Sequence, residues 1–256
     1  MSDRALAGDA FIWQARAALV VAKKNMMIYY LKPPVITFGV IFPVFFYLAF
    51  AAGHAGSVEV MVPGIISMAL FFTASAVGPL VTPWERSAKT FERLVTSPAS
   101  LLAILTGDIL AGMLFGASLS VLPLVIGLGA TGAHIESVAH VVVGVVLGAF
   151  AFSALGVLLS APASSTPSQV MMLLNLVRLP LIFVSGVFLP FSEMADWGRW
   201  LAPLSPLSYS TDLVRVGFGE TSYFDFASDA TALIAFGLGF LWLAYLLHRR
   251  TRDRAF

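Results

Sequence analysis

The sequence predicts an all-α membrane protein. It predicts six transmembrane helices, an N-terminal helix on the inner membrane surface, a charged cytoplasmic helix between spans two and three, and short interfacial or re-entrant helices on the outer side between spans five and six. Three observations carry this. Hydrophobic residues make up 59% of the chain and charged residues 11%, against about 25% charged in an ordinary globular domain, and the mean hydropathy is +0.89. Apolar runs near the length of about 20 residues that crosses a bilayer recur along the chain. Lys and Arg collect in alternate loops.

The runs lie at 34–52, 61–82, 99–129, 137–160, 167–190 and 229–248 within one membrane domain spanning 1–256. The third is long enough to be tilted, broken or partly outside the bilayer, and Pro123 marks the expected kink, because it lacks an amide hydrogen and crowds the preceding turn.

Arg4, Arg16, Lys23, Lys24 and Lys32 precede the first span; Arg86, Lys89 and Arg93 separate spans two and three; Arg249, Arg250, Arg252 and Arg254 follow the last. The positive-inside rule makes that side cytoplasmic, both termini included, in a cytoplasmic membrane. Loops 53–60 and 130–136 carry no Lys or Arg, and the neutral loop 160–167 is inside by parity. The first long apolar run begins too far from the N-terminus for a cleavable signal.

Segment 9–31 is weakly amphipathic. Asp9, Arg16 and Lys23 share one helix face, and Phe11, Ile12, Leu19 and Met26 another. With Trp13, Tyr29 and Tyr30 as interface-seeking residues, it reads as a helix along the inner membrane surface, ended by Pro33-Pro34. Segment 191–228 is too polar and too rich in Pro to span, yet carries Phe191, Trp197, Trp200, Tyr209, Phe218, Tyr223 and Phe224, which suits re-entrant or interfacial turns.

The net charge of +1 predicts no nucleic-acid partner. Cysteine is absent, which removes disulfides and thiolate chemistry. His54, His134, His140 and His248 are scattered and suggest no metal site. No G-x-x-x-x-G-K-[ST] phosphate loop occurs. Neither rhomboid-like Ser/His chemistry nor H-E-x-x-H is present, so the sequence predicts no catalytic site.

Two features inside or beside the membrane stand out. The run Trp84 to Leu94 is a short, helix-compatible charged island between apolar spans. Asp108 and Arg178 lie about ten residues into spans three and five, roughly 15 Å from the inner end at about 1.5 Å rise per residue, and Asn175 sits one turn before Arg178. Ionisable groups at that depth are costly in lipid. They predict a polar cluster of Asp108, Asn175 and Arg178, either gating a path or simply pairing to hold the spans together.

Three stretches then give a resemblance over nearly the whole chain: Val62-Pro63-Gly64-Ile65; Glu85-Arg86 through Phe91-Glu92-Arg93-Leu94 with Ser97-Pro98 and Gly107; and Ser185-Gly186-Val187-Phe188-Leu189-Pro190-Phe191 followed by Trp200 to Tyr209, Asp212 and Arg215. In this order the chain resembles the permease subunits of ABC-2 type exporters, near the daunorubicin-resistance and nodulation lipooligosaccharide branch. Ser205 stands where that family often has Asn.

The resemblance implies a permease dimer, most simply of two identical copies in membrane lipid, with two copies of a separate cytoplasmic ATPase. ATP and Mg2+ would be bound by that ATPase, and this chain would carry no cofactor. Glu85, Arg86, Lys89, Phe91, Glu92, Arg93 and Leu94 become the coupling helix, at 84–96, which meets the ATPase; a solvated loop that only fixes topology is the plainer alternative. Met68, Phe71 and Phe72 on span two, with Phe183 and Phe188 on span five, become an adaptable apolar lining for hydrophobic or amphipathic cargo, or else ordinary packing. Cargo of this kind would be a drug-like compound, a lipid or a lipid-linked glycan. A polysaccharide exporter of the same superfamily, and a membrane anchor or assembly factor without a path, are the alternatives.

Overall fold

The computed structural model describes residues 3–29, 37, 41–53, 58–90, 97–162 and 166–253. Among these the regular structure is helical throughout, as the composition predicts.

Helix α1 (Asp3–Tyr29) is followed by α2 (Phe42–Gly53), α3 (Val58–Ala74) and α4 (Val77–Ser87). Then come the long helices α5 (Leu101–Ala130) and α6 (Val138–Leu159), and the shorter α7 (Pro167–Phe183). The outer segment holds 3-10 turns at Phe191–Glu193 and Ala202–Leu204 around α8 (Asp196–Leu201), then α9 (Pro206–Gly217). Helix α10 (Phe226–Asp253) closes the chain.

Among the described residues, four helical stretches are long and apolar enough to cross a membrane: Glu59–Ser87, Leu101–Ala130, Val138–Leu159 and Phe226–Arg250. Helix α7, at 17 residues, reaches about 25 Å, and the chain turns after it through 184–190 rather than continuing the helix expected there. The first expected span, 34–52, lies largely outside the described residues apart from α2.

The second span departs from a simple rod. It breaks at Ser75-Ala76, and α4 then runs on past the expected end to Ser87. Pro79, one turn on, has no N–H for the Ser75 carbonyl and crowds it, which opens the helix there, and the neighbouring helices leave room for the break. A side chain at Gly112 would meet the Ala74 carbonyl at 2.7 Å, one at Gly116 the Ala74 Cβ at 2.6 Å, and one at Gly156 the Ser75 carbonyl at 2.3 Å. Glycines on α5 and α6 therefore let the broken backbone of span two press directly against both neighbours, the close approach that small residues permit in membrane helices. Below the break, a Cβ at Gly78 would meet the Val157 backbone at 2.8 Å.

Helix α5 accommodates Pro123 without a break in the helix, and the Tyr47 hydroxyl donates to the Pro123 carbonyl at 2.8 Å. The core gathers around span two. Met68, Leu70, Phe71 and Phe72 pack with Phe152 and Leu155 of α6, Ile182 of α7, Leu207 and Leu213 of α9, and Leu233 of α10. Helix α9 lies in this core as a short, almost wholly buried helix, which answers the expected re-entrant segment.

Helix α1 packs on α5 through a narrow stripe of Ala18, Val21, Ala22 and Asn25. A Cβ at Gly107 would meet the Ala18 carbonyl at 2.7 Å. Ile12, Trp13, Leu19, Val20, Met27 and Ile28 face away from the protein. Apolar residues turned outward on a helix seated against the bundle suit a membrane surface.

Candidate functional site

Three polar constellations are built into this apolar frame, and each ties separate helices together.

The first lies at the inner end. Glu85 is on the last turns of α4 and is buried, and it forms an ion pair with Lys24 of α1. Next to Lys24, Asn25 donates through Nδ2 to Asp108 Oδ1 on α5 at 2.6 Å. Lys24, Asn25, Glu85 and Asp108 thus knit α1, α4 and α5. Arg86 turns the other way and donates to the carbonyls of Pro162 and Ala161. The neutral loop after α6 therefore sits at the same end as the charged one. Gln14 adds a further tie, accepting from the Ser100 N–H at 2.8 Å.

Glu85 and Arg86 belong to the helix of span two itself. The chain then turns at Ala88-Lys89, where Lys89 has φ 54°. Lys89 is exposed. Phe91, Glu92, Arg93 and Leu94 lie outside the described residues.

The second constellation surrounds Arg178, which is wholly buried. Ala76 N–H bonds to the Thr73 carbonyl at the break in span two, and the Phe72 carbonyl accepts from Arg178 Nη2 at 2.9 Å. The same guanidinium reaches Ser75 Oγ through Nε at 2.9 Å and Nη2 at 2.6 Å. Its Cζ lies 5.1 Å from the Phe72 ring centroid and 5.9 Å from that of Phe71, within cation–π range. Arg178 thus supplies the hydrogen bonds that an irregular backbone needs at membrane depth. Arg178 Nη1 and Asn175 Oδ1 are buried without a hydrogen-bond partner.

The expected cluster is therefore divided in this structure. Asp108 is held by Asn25, Arg178 by Ser75 and Phe72, and no ion pair joins Asp108 to Arg178 among the described residues. Matched depth does not mean adjacency, because α5 meets α1 where α7 meets α4.

The third constellation is at the outer end. Arg215 of α9 is 2% exposed. It donates to the Gly186 carbonyl at 3.1 and 2.9 Å, to Val187 at 3.3 Å, to Val60 at 3.4 Å and to Glu220 at 2.7 Å. One fork-shaped side chain joins the start of span two, the turn after α7 and the end of α9. Gly186 has φ 72°, a left-handed conformation that glycine adopts without cost. Asp212, one turn earlier, accepts from the N–H groups of Tyr223 and Phe224 at 3.1 and 2.9 Å and from the Ser222 hydroxyl at 3.2 Å. Burial pushes the Asp212 carboxyl above the ordinary carboxylate range, while those hydrogen bonds pull it down. Phe191 stacks on Tyr223 at 4.8 Å, and Tyr209 contacts Phe224 at 4.7 Å.

The five lining residues read from the sequence separate into two groups. Met68, Phe71 and Phe72 are buried inside the subunit, where Phe71 meets Phe152 at 4.9 Å. Phe183 is 67% exposed and pairs with Phe188 at 5.9 Å.

The chain matches the family described as ABC-2 type transporter over residues 16–218. It belongs to that family. The permease is 26% identical over 226 residues to the inner membrane transport permease YadH of Escherichia coli K12, covering 87% of this chain and 88% of that one. It is 25% identical over 211 residues to the daunorubicin resistance ABC transporter permease protein DrrB1 of Streptomyces coeruleorubidus, covering 80% and 72%. The permease is thus a multi-pass membrane protein of a family whose members work with an ATPase subunit, generally as dimers.

Sequence reasoning missed Lys24 and Asn25 as members of the inner cluster, and Ser75 as the partner of Arg178. Asn25 carried a signal: it continues the small-residue stripe of Ala18, Val21 and Ala22 at helical spacing. A polar residue in such a stripe points at a partner across the interface.

Proposed function

We propose that this permease is the membrane subunit of an exporter driven by a separate cytoplasmic ATPase. Two copies of the permease, in a cytoplasmic membrane with both termini inside, would pair with two copies of the ATPase. ATP and Mg2+ bind to the ATPase, and no catalytic step belongs to this chain. The cargo is a hydrophobic or amphipathic molecule: a drug-like compound, a lipid or a lipid-linked glycan. A relative named for daunorubicin resistance supports the drug-like class.

One observation supports the coupling role above the others. Glu85 and Arg86 extend span two without a joint and are anchored on both sides, Glu85 to α1 and Arg86 to the loop after α6. A push delivered to Glu85 and Arg86 then has a route into α4, into α1 and into the loop after α6. Nucleotide-driven closure of the ATPase dimer shifts the permease to the extent that its two states contact that dimer differently.

The experiment is reconstitution with candidate partner ATPases. Glu92→Ala with Arg93→Ala should leave the permease inserted and abolish cargo-stimulated ATP hydrolysis. Normal transport by the double variant would overturn the coupling assignment, and failure of any ATPase to copurify would overturn the exporter reading.

A further inference from the structure

Helix α1 carries two sets of polar side chains with different fates. The set facing the bundle is engaged: Gln14 accepts from the Ser100 N–H, Lys24 pairs with Glu85, and Asn25 donates to Asp108. The set facing away is not. Arg16 and Lys23 lie about two turns apart on the side opposite the buried Ala18 and Asn25, and both are exposed. Among the described residues neither has an ion pair or a side-chain hydrogen bond. The acids on the helices that α1 touches, Glu85 and Asp108, are buried and already taken by Lys24 and Asn25. By register Asp9 shares the outward row, two turns before Arg16.

Apolar side chains flank the two cations. Leu19 is 61% exposed, Val20 67% and Met27 76%, and Ile12 and Trp13 are exposed on the same side of α1. Such a face fits neither water nor hydrocarbon alone. Water would leave the apolar rows uncovered, and hydrocarbon would strand the cations. The boundary between headgroups and acyl chains serves both, because long basic side chains reach the headgroups while their apolar neighbours enter the acyl edge.

The contacts of α1 hold it at that level. Ser100 caps the inner end of α5, Glu85 lies near the inner end of α4, and both bind α1. Helix α5 has 30 residues and so reaches about 45 Å, longer than the hydrocarbon core of about 30 Å, so its ends extend into the headgroup layers. An acidic soluble surface would match Arg16 and Lys23 but not the apolar rows beside them. A phospholipid supplies a phosphate and acyl chains in one molecule. We propose that the outward face of α1 binds acidic phospholipid of the inner leaflet, with Arg16 and Lys23 on the headgroup phosphates and Leu19, Val20 and Met27 against the acyl chains. This rests on the reading that puts α1 on the inner side of the membrane. Bound lipid then holds the helix that braces the inner ends of spans two and three.

The test uses the purified full permease in mild detergent, given an equimolar mixture of phosphatidylglycerol and phosphatidylcholine, with retained lipid counted by native mass spectrometry. Phosphatidylglycerol should be retained over phosphatidylcholine by about tenfold or more, the scale of two basic side chains at an anionic surface. Arg16→Gln with Lys23→Gln should remove that preference. Arg249→Gln with Arg250→Gln, two exposed cations at the end of α10, should keep it. Leu19→Glu leaves both cations in place but gives them a carboxylate three and four residues away on the same helix. It should also weaken the preference, even if the first double variant does not fold. No preference in the wild type, equal loss in both double variants, or a preference untouched by Arg16→Gln with Lys23→Gln and by Leu19→Glu would overturn the proposal. So would variants that retain the lipid and instead lose a copurifying ATPase, which would assign the face to that partner. The measurement needs neither ATPase nor transport, so its failure leaves the exporter reading standing. An error in sidedness would show separately, as labelling of cysteine at Ser2 from outside the cell.

Discussion

Gly64 lies directly against Val187: a Cβ placed on Gly64 would fall 2.0 Å from the Val187 carbonyl oxygen. Two motifs more than a hundred residues apart, Val62-Pro63-Gly64-Ile65 and Ser185-Gly186-Val187, are therefore one contact. The neighbouring Gly186 and Val187 carbonyls both accept from Arg215. What reads as three separate motifs is a single outer joint between span two, the turn after α7, and α9.

Gly64→Ala should accordingly destabilise the permease by about 1–3 kcal/mol, the cost of overpacking a closed contact. Gly129→Ala is the control, because nothing lies within 4 Å of its added methyl, and it should be neutral or slightly stabilising. Thermal unfolding of the two purified variants checks this; equal melting temperatures would refute the contact.

Arg215→Lys should fail to replace arginine. A single ammonium cannot serve the carbonyls of Gly186, Val187 and Val60 together with Glu220, so a loss of about 1–3 kcal/mol is expected from buried acceptors left unpaired. Glu220→Gln should cost less, since Glu220 is partly exposed. Denaturation midpoints for both variants supply the comparison, and a Lys variant as stable as wild type would show that the fork is dispensable.

Asp108 should couple to Asn25 and not to Arg178 in the resting protein. A double-mutant cycle on Asn25→Ala and Asp108→Asn should give an interaction energy of about 0.5–3 kcal/mol, whereas Asp108→Asn with Arg178→Gln should be additive within about 0.5 kcal/mol. Folded yield and melting temperature are the readouts. Strong coupling of Asp108 to Arg178 would mean that another state of the cycle brings them together.

Arg178→Lys should weaken the break in span two. Lysine can bond Phe72 or Ser75 as a point donor but cannot hold the geometry of the planar fork. Ser75→Ala should be milder, since Arg178 keeps the Phe72 carbonyl at 2.9 Å. Proteolysis or hydrogen exchange across 70–80 should report faster opening in the Lys variant, and unchanged protection would reject the capping role.

Topology is open to direct labelling, because the chain has no cysteine. Cysteine at Ser57 or at the exposed Thr221 should react with an impermeant thiol reagent in intact cells, and cysteine at Ser2 or Arg252 should not. Labelling at Ser2 or Arg252 would overturn the cytoplasmic assignment of the termini.

The all-helical membrane class, the existence of the long spans and the broken outer segment were all determined by the sequence. They rest on composition, on the length of apolar runs and on where Lys, Arg and Pro fall, and those quantities act locally or along one helix. The partners of the buried polar groups were not legible in the same way. Asp108 and Arg178 share a depth, but depth constrains only one coordinate, and helix packing decided that one faces Asn25 and the other Ser75. The break at Ser75-Ala76 does have a local cause in Pro79, which cannot bond the Ser75 carbonyl, but its packing was not legible. Gly112, Gly116 and Gly156 on neighbouring helices leave room for the opened backbone, and Arg178 bonds the Phe72 carbonyl there. A one-dimensional pattern can show that a buried charge needs a partner. Only the tertiary structure can choose it, because the choice depends on which helices approach closely enough for short side chains to meet.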